Sequence, residues 1–154
     1  MSEAELSWAT PADASAMAAV HATAFDPAWS ARDIEQLFEG PGVFGFLAGG
    51  QPPAGMMLCR VVEDDCEVLT IAVDPARRRQ GLARAMVGAA MAAAASAGAS
   101  AAFLEVAVDN PAASAVYASI GFRRIARRSG YYRRAGGADV DALVMRLDLN
   151  GAPA

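Results

Sequence analysis

An arginine-rich turn carries the clearest chemistry in this sequence. Val73-Asp74-Pro75-Ala76-Arg77-Arg78-Arg79-Gln80-Gly81-Leu82-Ala83-Arg84 leaves an apolar strand, passes through a run of arginines and opens an alanine-rich helix. The first N–H groups of a helix have no internal partner and lie at the positive end of its dipole, so they suit phosphate oxygens. Gly81 lets a diphosphate approach the main chain, and the arginines add charge. The spacing fits neither the G-x-x-x-x-G-K-[ST] nucleotide loop nor the G-x-G-x-x-G dinucleotide loop. A phosphorylated ligand is therefore expected on Arg78, Arg79, Gln80, Gly81, Leu82, Ala83 and Arg84. Two more side chains could move protons. Glu105 is the one charge in Phe103-Leu104-Glu105-Val106-Ala107-Val108 and reads either as a base or as an exposed edge-strand glutamate. Tyr117 lies on the following helix, and its phenol reads either as a proton donor or as a core aromatic.

These residues need a scaffold to position them. Residues 68–73 are apolar and β-branched, and Asp74-Pro75 stops them, since proline cannot extend a central ladder. Upstream, a first strand is expected over residues 6–9. Pro11-Ala12-Asp13 then opens a helix through Phe25, and a Ser30-x-x-Asp33 capping box starts a second helix to about Phe38. Gly40-Pro41-Gly42 breaks that helix, and a meander follows over residues 43–48, 54–62 and 67–73, turning at residues 49–53 and at Glu63-Asp64-Asp65. Downstream come the long helix after Gly81 and the 103–108 strand. Asn110 is the N-cap of a further helix with Pro111 in its first position, running over residues 112–120 and closed by Gly121. Strands over 122–128 and 140–147 complete an α/β, mixed-sheet architecture with helices on its faces.

A chain of 154 residues, 55% hydrophobic and 19% charged, suits one compact domain over residues 1–154. Its formal net charge of −4 does not indicate wholesale nucleic-acid binding, and the basic run at residues 123–134 reads as a solvated hairpin. A turn at Glu63-Asp64-Asp65 sets Cys66 nearer Val61 than Cys59. Buried free thiols are expected rather than a disulfide, which fits a reducing cytoplasm. His21 is the single histidine and stands far from both cysteines, so no metal cage is expected and it reads as an ordinary helix residue. Residues 1–5 are acidic, unlike a secretory leader. Residues 85–104 lack charge, but alanine, glycine and serine dominate them and Gly98 supplies a turn, so they read as helix plus strand rather than a membrane span.

Arg78-x-x-Gly81-x-Ala83 resembles the [Q/R]-x-x-G-x-[G/A] pyrophosphate loop of the GNAT superfamily of N-acetyltransferases. The string from Leu104-Glu105-Val106 through Asn110 to Tyr117 and Gly121-Phe122 is similar to the second half of the same core. Most of the chain resembles the RimI-type ribosomal-protein-alanine N-acetyltransferases in particular. Ala24-Phe25-Asp26-Pro27-Ala28-Trp29-Ser30 is like their Phe-Pro-Trp-Ser loop with an insertion. Arg128-Ser129-Gly130-Tyr131-Tyr132 and Asp141-Ala142-Leu143-Val144-Met145 are like their Arg-x-Asn-Tyr-Tyr and Glu-Asp-Ala-x-x-Met segments. Gly130, Arg133 and Val140 depart from that pattern, all on the substrate side.

The resemblance implies the order β1-α1-α2-β2-β3-β4-α3-β5-α4-β6-β7, with the 68–73 and 103–108 strands lying parallel and splaying apart at their ends. It implies acetyl-CoA as co-substrate, with Ile71, Ala72 and Val73 offering main-chain groups to its pantetheine arm and Asn110 and Tyr117 facing it. It implies Glu105 as general base and Tyr117 as general acid, with Trp29, Tyr131 and Tyr132 walling the acceptor. The expected acceptor is the N-terminal amine of alanine on a small-subunit ribosomal protein, met by a monomer or weak dimer in the cytoplasm, with no membrane, nucleic acid or metal involved. A small amine such as an aminoglycoside or polyamine is the alternative acceptor, and a non-catalytic acyl-CoA-binding module the alternative role.

Overall fold

The computed structural model describes residues 5–132 and 138–149. Strand β1 (Ser7–Ala9) leads through a single 3-10 turn into α1 (Ala14–Ala24). Helix α2 (Ala31–Phe38) starts at the expected capping box, where Ser30 Oγ accepts the Asp33 N–H at 3.1 Å and the Asp33 carboxylate accepts the Ser30 N–H at 3.0 Å. Then come β2 (Val43–Ala48), β3 (Gly55–Val62), β4 (Asp65–Val73), α3 (Leu82–Ser96), β5 (Ala101–Ala107), α4 (Pro111–Ile120), β6 (Arg123–Tyr132) and β7 (Val140–Asp148). No described helix is long and apolar enough to cross a membrane.

Two elements run further than their sequence suggests. The β3–β4 turn is only Glu63-Asp64, because Val62 pairs with Asp65 and Glu63 takes the left-handed conformation at φ 54°. Strand β6 does not stop at Arg128. Gly130, at φ 60°, donates its N–H to Asp141 Oδ1 at 2.8 Å, and pairing resumes at Tyr132 with Val140. Glycine absorbs this irregularity without the steric penalty of a Cβ. That N–H, and then Arg127, hold the Asp141 carboxyl below the usual carboxylate range.

The seven strands form one sheet in the order β1-β2-β3-β4-β5-β7-β6. Every neighbouring pair is antiparallel except β4 with β5, whose parallel pairing covers only Asp65–Glu67 against Ala101–Phe103. Beyond Glu67 the two strands part, as the resemblance implies. Near the same point the β3–β4 register slips: Leu58 faces Thr70 while Cys59 faces Val68, leaving Leu69 as an extra residue. Such a bulge bends its strand and reverses the alternation of side chains beyond it. Cys66 and Val68 before the bulge, and Ile71 and Val73 after it, therefore face the same core.

That core lies under α3 and α4 and holds Met57, Met86, Val87, Leu104 and Tyr117. A second core lies under α1 and α2, with Met17, Val20, Ile34, Met56 and Leu58. Fully burying an aliphatic side chain of this size contributes about 1.5–3 kcal/mol. Cys59 and Cys66 are buried free thiols, and Cys66 is paired with Val61 as the turn requires. The neighbouring Cys66 thiol, and then burial, push the Cys59 thiol up.

Candidate active site

The parting of β4 from β5 leaves main-chain groups of β4 without a ladder. The Asp74 N–H donates to Ala54 O at 2.8 Å, which fixes the phase of the strand. Alternate residues of a strand turn their N–H and C=O to opposite sides, so Ala72 faces β3 with Asp74, whereas Ile71 and Val73 face the gap. Arg78 Nε, 3.4 Å from Val73 O, agrees with that phase. Of the three expected residues, Ile71 and Val73 thus offer main-chain groups to the gap. Ala72 is buried in the α1–α2 core and backs them.

The turn that follows is held by its own polar groups. Asp74 Oδ1 accepts the Ala76 N–H at 3.0 Å, and Arg77 Nε donates to Gln80 Oε1 at 2.9 Å. Arg79 and Gly81 are both left-handed, at φ 66° and 78°. Gly81 is the N-cap of α3 with no side-chain capping bond, and nothing stands within 4 Å of where its Cβ would be. The first intrahelical bond is Ala85 N–H to Gly81 O, so the N–H groups of Leu82, Ala83 and Arg84 have no helical acceptor. The Leu82 side chain is buried, which roots the helix and leaves only its main chain for a ligand. The Arg84 guanidinium donates to Ser119 Oγ on α4. The Asn110 side chain is engaged as the N-cap of α4, its Oδ1 accepting the Ala113 N–H at 3.2 Å.

Glu105, Tyr132, Arg128 and Tyr131 form one cluster. Arg128 donates to Glu105 Oε1 at 2.9 Å, and its guanidinium carbon lies 4.2 Å from the centre of the Tyr131 ring. Glu105 Oε2 is buried and has no hydrogen-bond partner among the described residues. The Tyr132 hydroxyl donates to the main-chain oxygen of Glu105 at 2.9 Å. The two tyrosine rings meet edge to face, 5.1 Å apart, with Tyr131 exposed and Tyr132 half-buried. Tyr117 is buried against Phe122, and burial, then the Tyr132 phenol, pushes its pKa well above the ordinary value. It is a neutral hydroxyl at every ordinary pH, and so a donor rather than a base.

Trp29 belongs to a second cluster, centred on His21. His21, expected as an ordinary helix residue, does lie on α1, but it is 2% exposed and both its ring nitrogens are engaged. Trp29 also lines a trough of about 390 Å³ with Asp33, Gln36 and Leu37 of α2. A larger trough of about 700 Å³ adjoins it through Gln36 and Leu37, floored by Val43 and Phe103 and rimmed by Glu63, Asp65 and Glu67. Phe103 and Glu105 are alternate residues of β5 and share its α1–α2 face.

The basic run on β6 is largely neutralised. Arg123 pairs with Asp148, Arg127 with Asp141 and Arg128 with Glu105, at 3.1, 2.7 and 2.9 Å. Arg133 and Arg134 lie outside the described residues. Among the described residues no group of three or more His, Cys, Asp and Glu side chains could hold a metal ion.

The profile of the acetyltransferase (GNAT) family matches residues 9–122, and this chain belongs to that family. It is 36% identical over 97 residues to the [ribosomal protein bS18]-alanine N-acetyltransferase of Escherichia coli strain K12, which is 63% of this chain and 65% of the relative. By sequence, then, the match spans just under two thirds of that curated relative. The crystal structure of the ribosomal-protein-S18-alanine N-acetyltransferase from Escherichia coli superposes with a TM-score of 0.86 at 30% identity, covering 96% of this chain and 95% of that one. Arabidopsis thaliana NAA60, solved in complex with acetyl-CoA, shares the fold with a TM-score of 0.81 at 17% identity, covering 95% and 99%.

Proposed function

We propose that this protein transfers the acetyl group of acetyl-CoA to the N-terminal amine of a protein, with Glu105 as base and Tyr117 as acid. One observation carries the reading: Glu105 is held by Arg128 through Oε1 while its buried Oε2 has no partner among the described residues. A buried carboxylate oxygen left unsatisfied costs free energy unless something arrives to donate to it, and an ammonium group does so. The likeness to the ribosomal-protein-alanine enzyme favours an N-terminal alanine, and a small-subunit ribosomal protein, as acceptor.

The β4–β5 gap and the start of α3 fit acetyl-CoA. The N–H groups of Gly81, Leu82, Ala83 and Arg84 suit its diphosphate, and Ile71 and Val73 suit its pantetheine amides. When bound, the coenzyme supplies an activated thioester. Glu105 takes a proton from the acceptor's α-ammonium, directly or through water, and the freed nitrogen attacks the thioester carbon. Tyr117 donates its proton to the sulfur as the carbon–sulfur bond breaks, and the second proton lost by the attacking nitrogen passes through water to restore the phenol, leaving an amide and a free thiol, while the proton on Glu105 goes to solvent. Burial lifts the phenol above its reference value of about 10, so it holds its proton at working pH and can donate a hydrogen bond, and then the proton, to the sulfur as charge develops there. Tyr131, Tyr132 and Trp29 flank the acceptor, whose chain leads toward the trough beside Phe103. The two buried free thiols fit a reducing cytoplasm.

The carboxylates on that trough favour a second reading, in which a polyamine or other small cationic amine is the acceptor. One experiment separates them. The protein is incubated with acetyl-CoA and equal amounts of an Ala-starting ribosomal-protein peptide, the same peptide with its α-amine blocked, and spermidine, and the products are mapped by fragment-ion mass spectrometry. Acetyl on the α-amine of the open peptide is expected. Acetyl mainly on lysine ε-amines or on spermidine would overturn the reading, and no product at all would indicate a coenzyme-binding module.

A further inference from the structure

The acceptor side and the coenzyme side of the site are joined by a residue to which the proposed chemistry gives no task. His21 Nδ1 accepts the Trp29 N–H at 3.1 Å, so the ring proton sits on Nε2, which donates to Thr70 Oγ1 at 3.1 Å. The imidazole also stacks on the Phe25 ring at 4.3 Å and 14° and on the Trp29 indole at 5.0 Å and 19°. Thr70 lies between the bulged Leu69 and Ile71, whose main chain faces the β4–β5 gap. Residues 25–30 have no regular secondary structure of their own, so this ring fixes both ends of a stretch that would otherwise sample many conformations.

A buried histidine serving only to fill space could be replaced by an apolar side chain without loss. Here each polar contact goes to a different half of the site. We infer that His21 is a positioning residue for acceptor binding: it holds Trp29 and the 25–30 stretch in fixed relation to the coenzyme strand through Thr70. The inference rests on the assignment of Trp29 to the acceptor's side, proposed above.

The test uses the full chain, acetyl-CoA and an Ala-starting peptide, with KM measured for each substrate. His21→Gln keeps a group able to reach Thr70 but removes the acceptor for the Trp29 N–H. His21→Asn does the reverse, keeping a polar atom near the place of Nδ1. Loss of one such hydrogen bond predicts a rise of about tenfold in peptide KM for His21→Gln, with kcat and the KM for acetyl-CoA little changed. His21→Asn, which keeps the Trp29 contact but loses the one to Thr70, should raise peptide KM less than His21→Gln, severalfold and to the same extent as Thr70→Val. Trp29→Ala should raise peptide KM at least as much as His21→Gln. If His21→Gln does not fold, Thr70→Val decides instead, since it frees the other ring nitrogen at nearly constant shape and should raise peptide KM severalfold. A native peptide KM in folded His21→Gln or Thr70→Val, with Trp29→Ala impaired, overturns the positioning role alone. A native peptide KM in Trp29→Ala overturns the assignment of Trp29 and, with it, this inference.

Discussion

The hydroxyl of Tyr132 donates to the main-chain oxygen of Glu105 at 2.9 Å, although their strands are not neighbours. Strand β7 lies between β5 and β6, so both Tyr132 and Arg128 reach across it to grip the same residue. The paired tyrosines and the carboxylate therefore form one unit. A change that shifts the end of β6 also shifts the carboxylate.

Glu105→Gln removes the proposed base at nearly constant shape. Turnover should fall by about 10²–10⁴-fold, the usual contribution of a positioned acid or base, while coenzyme binding by calorimetry stays native. Activity should return in part at alkaline pH, because a protein α-amine with a pKa of about 7.7–8.0 then sheds its proton unaided. A near-native rate at pH 7 would reassign the base.

Tyr117→Phe leaves the packing against Phe122 and deletes only the hydroxyl. A loss of turnover on the same ~10²–10⁴-fold scale is expected, again with coenzyme binding retained. Since burial and Tyr132 raise the phenol's pKa, the native enzyme should show no loss of rate from Tyr117 ionisation anywhere below pH 10. A rate that declines between pH 8 and 9 and loses that decline in Tyr117→Phe would contradict the assignment.

Gly81→Ala tests the phosphate loop by adding one methyl group to open space. The left-handed φ of 78° makes any Cβ there strained, by about 1–2 kcal/mol, so a modest fall in Tm is expected. The larger effect should be on coenzyme A affinity, read by calorimetry, because the methyl group stands where the diphosphate must approach. Undiminished affinity in the folded variant would remove the loop from the site.

His21 should make stability depend on pH. Burial lowers its pKa to about 4, against an ordinary value of about 6.5, so between those values the unfolded chain binds more protons than the folded one. The associated stability is fully present above the unfolded value and is lost as pH falls from about 6.5 through 4. The shift corresponds to a loss on the order of 3 kcal/mol. Urea unfolding at pH 7 and pH 4.5, set beside His21→Asn, isolates this contribution, and equal pH slopes in both proteins would refute it.

What was legible in the sequence is what neighbouring residues determine. Ser30 and Asp33 form their capping box, Asn110 caps α4, and α3 opens directly after Gly81, because three or four consecutive residues suffice for each. The task of His21 was not legible, since Thr70 lies 49 residues away along the chain. One signal was present: His21, Phe25 and Trp29 recur every four residues, a spacing that aligns rings along one side of a helix and its extension. The slip at Leu69 and the continuation of β6 past Gly130 arise from pairing with distant strands, which no local pattern encodes. The Arg128–Glu105 pair was hidden for the same reason.

The short parallel ladder between β4 and β5 has a mechanical consequence. Strands β1 to β4 form one half-sheet and β5, β7 and β6 another, stitched along a seam of only three residue pairs. A ligand lying in the gap would bond to Ile71 and Val73 on one side while resting against the other half, so it would act as a missing rung as well as a guest. Its affinity and the resistance of the seam to opening are then one free energy read in two experiments, and saturating coenzyme should stiffen the whole sheet rather than only the loop that holds its phosphates.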